Sequence, residues 1–244
     1  MRAATKAIAT VLCSLLFVTP SAFSDTLSKS NSNQSATLSP LYPKIFAVRA
    51  ELERVYQQPL REHLYLHFLP KSQFAAVTGL GNGSNAMYNN GHLYFAMNPE
   101  SQLQEHKLET TLRHELSHSF VGTLSRSRCP AWLDEGLAQY FEGIRVQRTN
   151  ETLTSWLSNN KPLTLFALNQ NLTLLDPALV RVAYAHSLYA TRSLINRKGF
   201  SAIRKYLHAL GDGMEDQAAF HQAFGIALDQ FDSALQQRLL SGKL

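Results

Sequence analysis

Cysteine is scarce in this chain, and so are the long apolar runs that membrane proteins need. The 244 residues include two cysteines, which cannot build a disulfide framework. The apolar run near the N-terminus, residues 7–18, is about a dozen residues long, whereas a membrane span needs roughly 20. Charge is nearly balanced, with 23 Lys and Arg against 18 Asp and Glu, and the basic residues form no stripe. We therefore expect neither a stable membrane anchor nor a nucleic-acid partner.

The N-terminal segment has the pattern of a cleavable export signal. Two basic residues precede the apolar run, and a small-residue exit, Ala-Phe-Ser, ends at Ser24. We predict a signal peptide at residues 1–24, and hence an exported protein that is periplasmic or secreted. Residues 25–40 are rich in Ser, Asn and Thr and poor in large apolar residues, which predicts a disordered linker. Removal of the signal leaves Cys129, which we expect to be a small buried residue.

The rest of the chain, residues 41–244, is predicted to be one domain in which sheet patterns precede helix patterns. A helix at 43–58 is followed by alternation over 63–69, which predicts a half-buried strand. Two short strands at 86–88 and 93–97, joined by an Asn-Gly turn, predict a hairpin. The later candidate helices span residues 106–124, 130–144, 151–158, 177–196, 200–210, 217–224 and 228–240. This order predicts an α+β fold with a small N-terminal sheet and a mainly helical C-terminal part.

The strongest helical stretch contains a possible metal-binding motif. The segment RHELSH, which ends at His118, carries the pattern H-E-x-x-H. The helical period sets His114 and His118 about 40° apart on one face, so that both imidazoles can reach one ion. Glu115 borders the same site, and an apolar i, i+4 ridge from Leu108 to Phe120 lies on the far side of the helix. A pair of solvated or hydrogen-bonded helix histidines is the alternative interpretation.

The next predicted helix, residues 130–144, offers a polar face to the same region. Glu135, Gln139 and Glu142 fall on one side at i, i+4 and i+7, opposite an apolar side. A short loop, residues 125–129, joins the two helices, so antiparallel packing can bring Glu135 to the ion. Two His and one Glu are a catalytic zinc set, because three protein ligands leave the fourth position open for water.

Together the two motifs resemble those of the gluzincin zinc metallopeptidases. HELSH followed by WLDEGLAQYFE, with the Glu 17 residues after the second His, is similar to the small peptidase MA-like domains of exported bacterial proteins. The M1 aminopeptidases carry a similar pattern. The resemblance runs from Phe74 to the C-terminus and includes Val182–Leu188. It implies a thermolysin-like core, in which the small sheet carries the substrate strand and the helical part closes the cleft.

The resemblance also implies an activity and the residues responsible for it. It assigns His114, His118 and Glu135 as the ligands of one zinc ion per chain. It makes Glu115 the general base, which deprotonates the attacking water and returns the proton to the leaving amine of a peptide or protein substrate. It makes Tyr184, in a Y-x-x-small pattern, a hydrogen-bond donor to the oxyanion. A tyrosine on a long helix also fits a core position with its hydroxyl at the rim.

Several neighbouring residues receive supporting roles. A zinc-bound histidine usually donates its second N–H to a carboxylate, and Glu142 is the expected partner because it shares a face with Glu135. Asp134 is expected to be a solvated helix charge, and His186 a structural residue. The hairpin is expected to present an edge strand to which an extended peptide can add.

Two functions are compatible with this sequence. The first is a zinc metallopeptidase, and the alternative is a zinc-binding interaction or scaffold module of the same fold with little or no turnover. The intact Glu115 favours the first, because a purely structural site needs no base beside an open position. The identity of the substrate, internal or terminal cleavage, and the oligomeric state stay open at this stage.

Overall fold

The structure is a computed structural model that describes residues 41–61, 64–80, 85–89, 92–97, 105–169, 172 and 175–242. The predicted signal peptide, the predicted linker and the Asn-Gly turn at Asn90 lie outside the described residues. The chain divides into two compact units. Among the described residues, those of 41–46 and 61–108 form the first unit, and those of 47–60 and 109–242 form the second.

A small sheet forms the centre of the first unit. Helix α1 (Leu41–Tyr56) comes first, and its residues are divided between the two units. The elements that follow in this unit are strand β1 (Tyr65–Pro70), helix α2 (Lys71–Thr78), strand β2 (Ala86–Asn89) and strand β3 (His92–Met97). The strand order is β1-β3-β2, with β3 parallel to β1 and antiparallel to β2. Helix α2 contacts β1 and β3. Phe74, Leu93 and Phe95 are buried in this unit.

The hairpin is confirmed, but two features of this unit were not predicted. Helix α2 has one buried residue, Phe74, among its eight positions, so it carries no repeated apolar pattern at helical spacing. The parallel pairing of β1 with β3 places the hairpin's second strand in the middle of the sheet and leaves β2 at an edge. The sequence pattern of a strand does not indicate which neighbour it pairs with.

The second unit is helical. It contains most of α3 and all of the following helices. These are α3 (Glu105–Ser125), α4 (Ala131–Glu142), α5 (Val146–Leu157), α6 (Pro177–Lys198), α7 (Phe200–Gly211), α8 (Asp216–Phe224) and α9 (Leu228–Leu240). The small sheet followed by the helical part confirms the α+β prediction. Among the residues described, none of the helices combines the length and the apolarity that crossing a bilayer requires.

Helix α3 is held by contacts on the face that the histidines do not use. Leu112, Leu116 and Phe120 are fully buried, as the predicted ridge requires. The Tyr56 ring stacks on Phe120 with centroids 5.1 Å apart, and the Tyr56 hydroxyl forms a 2.8 Å hydrogen bond with Ser117 Oγ. These contacts fix the rotation of α3 about its own axis, which determines where its polar face points.

The helix predicted at residues 151–158 begins earlier, at Val146. The backbone of Arg145 is extended, and the helix then buries Thr149 and Leu153 at i, i+4 spacing. Because the first buried residue is a threonine, the pattern of hydrophobic residues alone does not indicate this buried face. The predicted N-terminal boundary, residue 151, was therefore wrong by five residues.

Candidate metal centre

Helix α3 brings the two histidines of the motif side by side. The rings of His114 and His118 lie edge to face, with centroids 5.1 Å apart. Both side chains are half-buried, at 19% exposure each. One helical turn separates them, so their nitrogens can face a common point.

Each histidine has one ring nitrogen bound to a carboxylate from α4. His114 Nδ1 lies 2.9 Å from Glu142 Oε2, and His118 Nδ1 lies 2.9 Å from Asp134 Oδ1. A carboxylate accepts hydrogen bonds, so each imidazole donates its Nδ1–H and carries a lone pair on Nε2 when neutral. Both Nε2 atoms are thereby prepared to bind a cation.

The partner of His114 was predicted correctly, but the expectation for Asp134 was wrong. Asp134 is not a solvated charge, because its carboxylate binds His118. It precedes Glu135 directly, so the two side chains leave α4 in different directions and reach the same histidine pair from different sides. The signal in the sequence that could have indicated this role is the pair of adjacent acidic residues on α4, which packs next to two histidines spaced by one turn on α3.

Glu135 completes a cluster of three possible metal ligands. Its Oε2 atom lies 3.7 Å from His114 Nε2 and 4.0 Å from His118 Nε2, and the three ligand atoms all lie within 4.8 Å of one another. The same Oε2 atom is buried and has no hydrogen-bond partner in the described part of the chain. A buried carboxylate oxygen without a partner carries a large desolvation cost, which a bound cation would remove.

The donor set fits zinc. Two imidazole nitrogens and one carboxylate oxygen are typical ligands of catalytic zinc, at about 2.0–2.2 Å from the ion. Tetrahedral ligands at that distance are roughly 3.3–3.5 Å apart. The separations of 3.7 and 4.0 Å from Glu135 Oε2 are only slightly longer, so small side-chain rotations suffice to close the site.

The electrostatics of the cluster also favour a cation. Burial lowers the pKa of His118, but the charge and hydrogen bond of Asp134, together with the charges of Glu135 and Glu115, outweigh burial and raise it to about 10. Burial likewise lowers the pKa of His114, but the hydrogen bond that His114 donates to Glu142 leads the opposing effects, which raise the pKa overall. Positive charge is therefore stabilised between these carboxylates, whether protons or a metal ion supplies it.

Glu115 is buried beside the cluster. Its residue exposure is 8%, and its charge contributes to the raised pKa of both His114 and His118. It belongs to the same helix as the two histidines but is not one of the three residues whose ligand atoms converge. Its role as a general base stays a prediction.

Close packing of α4 on α6 sets Glu135 against Tyr184. A Cβ atom added to Gly136 would lie 2.6 Å from the Ser187 carbonyl oxygen and would also collide with Thr191, so only glycine permits this approach. Gln139 Nε2 donates a 2.9 Å hydrogen bond to the Tyr184 carbonyl oxygen. The Tyr184 hydroxyl in turn donates a 3.3 Å hydrogen bond to Glu135 Oε1.

Tyr184 therefore lies at the cluster, although its role as an oxyanion donor stays a prediction. Burial raises the pKa of its hydroxyl, and the charge of Glu135 raises it further. The hydroxyl consequently keeps its proton at neutral pH and acts as a donor. Gln139, which anchors the backbone of Tyr184, was noted in the sequence only as part of a polar helix face.

The remaining candidates lie outside the cluster. His186 is 1% exposed, and burial lowers its pKa to about 4, as expected for a neutral structural residue. Cys129 is half-buried and forms no disulfide, and burial raises the pKa of its thiol. Neither residue offers a ligand atom to the three-residue cluster.

Comparison with known proteins agrees with the geometry. Residues 102–241, more than half of the chain, match the model of the Peptidase MA superfamily. This range includes the whole cluster, and the match indicates a metallopeptidase-like fold with a possible zinc site. No curated protein matches the chain significantly. On the strength of this match and the His/His/Glu cluster within it, the chain belongs to the Peptidase MA superfamily.

Proposed function

We propose that this protein is an exported zinc metallopeptidase of the gluzincin type, which hydrolyses peptide bonds in peptide or protein substrates. His114, His118 and Glu135 hold one zinc ion, and Glu115 is the general base. The M1-like form of the second motif, with its Glu 17 residues after the second His, supports the assignment of Glu135. Export rests on the signal pattern of residues 1–24.

One observation carries the proposal. Glu135 Oε2 is buried without a hydrogen-bond partner in the described part of the chain, and it faces two imidazole nitrogens at 3.7 and 4.0 Å. The other nitrogen of each imidazole is bound to a carboxylate. Three donors that point to one location, each oriented by its own partner, are the arrangement of a prepared metal site.

The chemistry follows from the residues around this location. When bound, zinc polarises the scissile carbonyl and lowers the pKa of water. Glu115 accepts the proton of the attacking water and then delivers it to the leaving amine, so that one carboxylate serves both steps. Its burial and its place next to His114 in the chain support this role.

Tyr184 supports the transition state in this proposal. Its hydroxyl stays protonated because burial raises its pKa. The present 3.3 Å contact with Glu135 Oε1 is long for a hydrogen bond between oxygens, so the hydroxyl can turn to a developing oxyanion at little cost.

The test combines metal dependence with a matched variant. Purified protein is incubated with a mixed peptide library, and products are identified by mass spectrometry. We expect the wild-type protein to cleave peptides, a chelator to abolish this cleavage and added zinc to restore it. The E115Q variant should contain the normal amount of zinc but cleave no peptide. A wild-type protein that binds zinc but cleaves no peptide would instead support the scaffold function. N-terminal sequencing of the exported form should give Asp25.

A further inference from the structure

A cavity of about 530 Å³ lies among helices α5, α6 and α9. Three arginines line it, Arg192 and Arg197 from α6 and Arg238 from α9, and none of the metal-cluster residues does. The lining within the described part of the chain contains no aspartate or glutamate. The volume falls within the roughly 300–1,000 Å³ of small-molecule sites.

The arginines of this cavity have no anionic partner among the residues that the structure describes. Within the described ranges, no carboxylate lies within 4 Å of the guanidinium groups of Arg192, Arg197 or Arg238. Arg192 donates one hydrogen bond from Nη2 to the Ile144 carbonyl oxygen. Its Nη1 atom is buried and has no partner in the part of the chain that the structure describes. A buried N–H group without an acceptor is costly, so an anionic group that reached this side chain would remove that cost.

Helix electrostatics explain only part of this cluster. Arg197 and Arg238 lie in the last turns of α6 and α9, where basic side chains interact favourably with the negative end of a helix. Arg192 lies more than one turn before the end of α6 and receives little of that effect. Its inclusion in the cavity lining with an unused buried donor therefore needs another explanation.

The remaining lining combines apolar and uncharged polar side chains. Phe231 and Leu235 are buried in the core, and Val146 contributes an apolar side chain that is 55% exposed. Asn150 and Asn196 add uncharged polar groups. A ligand that fills this space would contact hydrocarbon as well as guanidinium groups.

We propose that this cavity binds an organic anion, whose carboxylate or phosphate group is held by Arg192, Arg197 and Arg238 and whose apolar body lies against Phe231 and Leu235. Guanidinium groups bind both oxyanions through paired, charge-assisted hydrogen bonds. The site is independent of the metal cluster, so it stands or falls separately from the proposed peptidase activity.

The probe for this site is 8-anilinonaphthalene-1-sulfonate, a fluorescent anion with an aromatic body, titrated into the full chain. Displacement is then measured with 4-phenylbutyrate, 4-phenylbutyl phosphate and the uncharged 4-phenylbutanol. The R197Q/R238Q double variant removes two exposed charges from the cavity. R181Q is the matched control, because Arg181 is an exposed arginine of α6 that does not line the cavity. Thermal unfolding of each variant verifies that it is folded.

We expect saturable binding of the probe, with a Kd that rises about tenfold or more in R197Q/R238Q and stays within about twofold in R181Q. Both anionic competitors should displace the probe at concentrations about tenfold lower than the alcohol does. The anionic competitor that displaces the probe at the lower concentration shows whether the site prefers a carboxylate or a phosphate. An unchanged Kd in R197Q/R238Q, or an alcohol that competes as well as the acids, would overturn the proposal.

Discussion

Two pairs of histidines in this molecule have the same ring separation but different surroundings. The centroids of His114 and His118 are 5.1 Å apart, as are those of His67 and His92 in the sheet. In the first pair each Nδ1 is bound to a carboxylate. In the second pair the rings are stacked and bond to each other, with His67 Nε2 2.8 Å from His92 Nδ1. Within the described ranges, no carboxylate forms an ion pair with the second pair.

The difference shows that the spacing of two histidines does not by itself make a cation site. Burial lowers the pKa of His67, and the neighbouring His92 lowers it further. Around the motif histidines, the carboxylates outweigh burial and the pKa of His118 rises to about 10. The carboxylates bound to the Nδ1 atoms thus make the pair of His114 and His118 attractive to cations. The other pair is stacked in a sheet, and burial there favours the neutral form of His67.

The largest expected effect is the loss of turnover in E115Q, which distinguishes the proposed general base from the proposed metal ligands of the motif. E115Q keeps the shape of the side chain and removes the base, so we expect turnover to fall by roughly 10²–10⁴-fold, or more, because the same group also delivers the proton. Zinc content should be unchanged. Steady-state kinetics and elemental analysis of the same sample measure both quantities. An E115Q variant as active as the wild type would refute the assignment.

A smaller effect is expected at Tyr184. Y184F removes one oxygen and keeps the ring, so the loss of an oxyanion donor should lower kcat by about 10²–10³-fold with little change in KM. If the hydroxyl serves only to hold Glu135, zinc affinity will fall instead and kcat at saturating zinc will stay normal. Kinetics at several zinc concentrations distinguish these outcomes.

The carboxylates bound to the Nδ1 atoms of the two motif histidines can be tested by neutral replacements. D134N and E142Q keep a hydrogen-bond acceptor but remove the charge, and each should weaken zinc binding by roughly 10–100-fold, as is typical for partners of metal-bound histidines. Competition with a zinc-binding dye measures the affinity. E109Q is the control, because Glu109 pairs with Arg113 on the same helix and is not among the carboxylates paired with either histidine in the described part of the chain. Equal affinities in D134N and the control would contradict the role given to Asp134.

The smallest effect concerns the second pair. Because burial lowers the pKa of His67 below its ordinary 6.5, the fold favours the neutral ring. This contribution is complete above pH 6.5 and is lost as the pH falls through the lower folded value. H67F keeps an aromatic ring against Tyr94 and removes the titration. Urea unfolding at pH 7.5 and 5.5 should give a smaller loss of stability on acidification in H67F than in the wild type.

Much of the metal centre was predictable because its determinants are local. The H-E-x-x-H spacing and the polar face of the next helix both depend on helical periodicity, and a short loop restricts how the two helices pack. The role of Asp134 was missed, because the direction of a single side chain depends on how far α4 is rotated about its axis. That rotation is set by Gly136, whose contact with α6 is distant in sequence.

The fold was likewise predictable where it depends on local patterns and not where it depends on residues distant in sequence. Helices with a continuous apolar stripe, such as α3, were found almost to the residue, whereas α2 with its single buried Phe74 was not. Parallel pairing of β1 with β3 depends on residues more than twenty positions apart, and no local pattern encodes it. The arginine cavity was missed for the same reason, since its three arginines come from two helices that are separate in sequence.

The central claim is that the cluster of His114, His118 and Glu135 binds zinc, and that the pair of His67 and His92 does not. The direct test is the zinc content per chain after dialysis, measured for wild type, H118A and H67A. We predict one zinc per chain in wild type and in H67A, and almost none in H118A, because a site with three protein ligands has none to spare. Full zinc occupancy in H118A, or its loss in H67A, would contradict the claim.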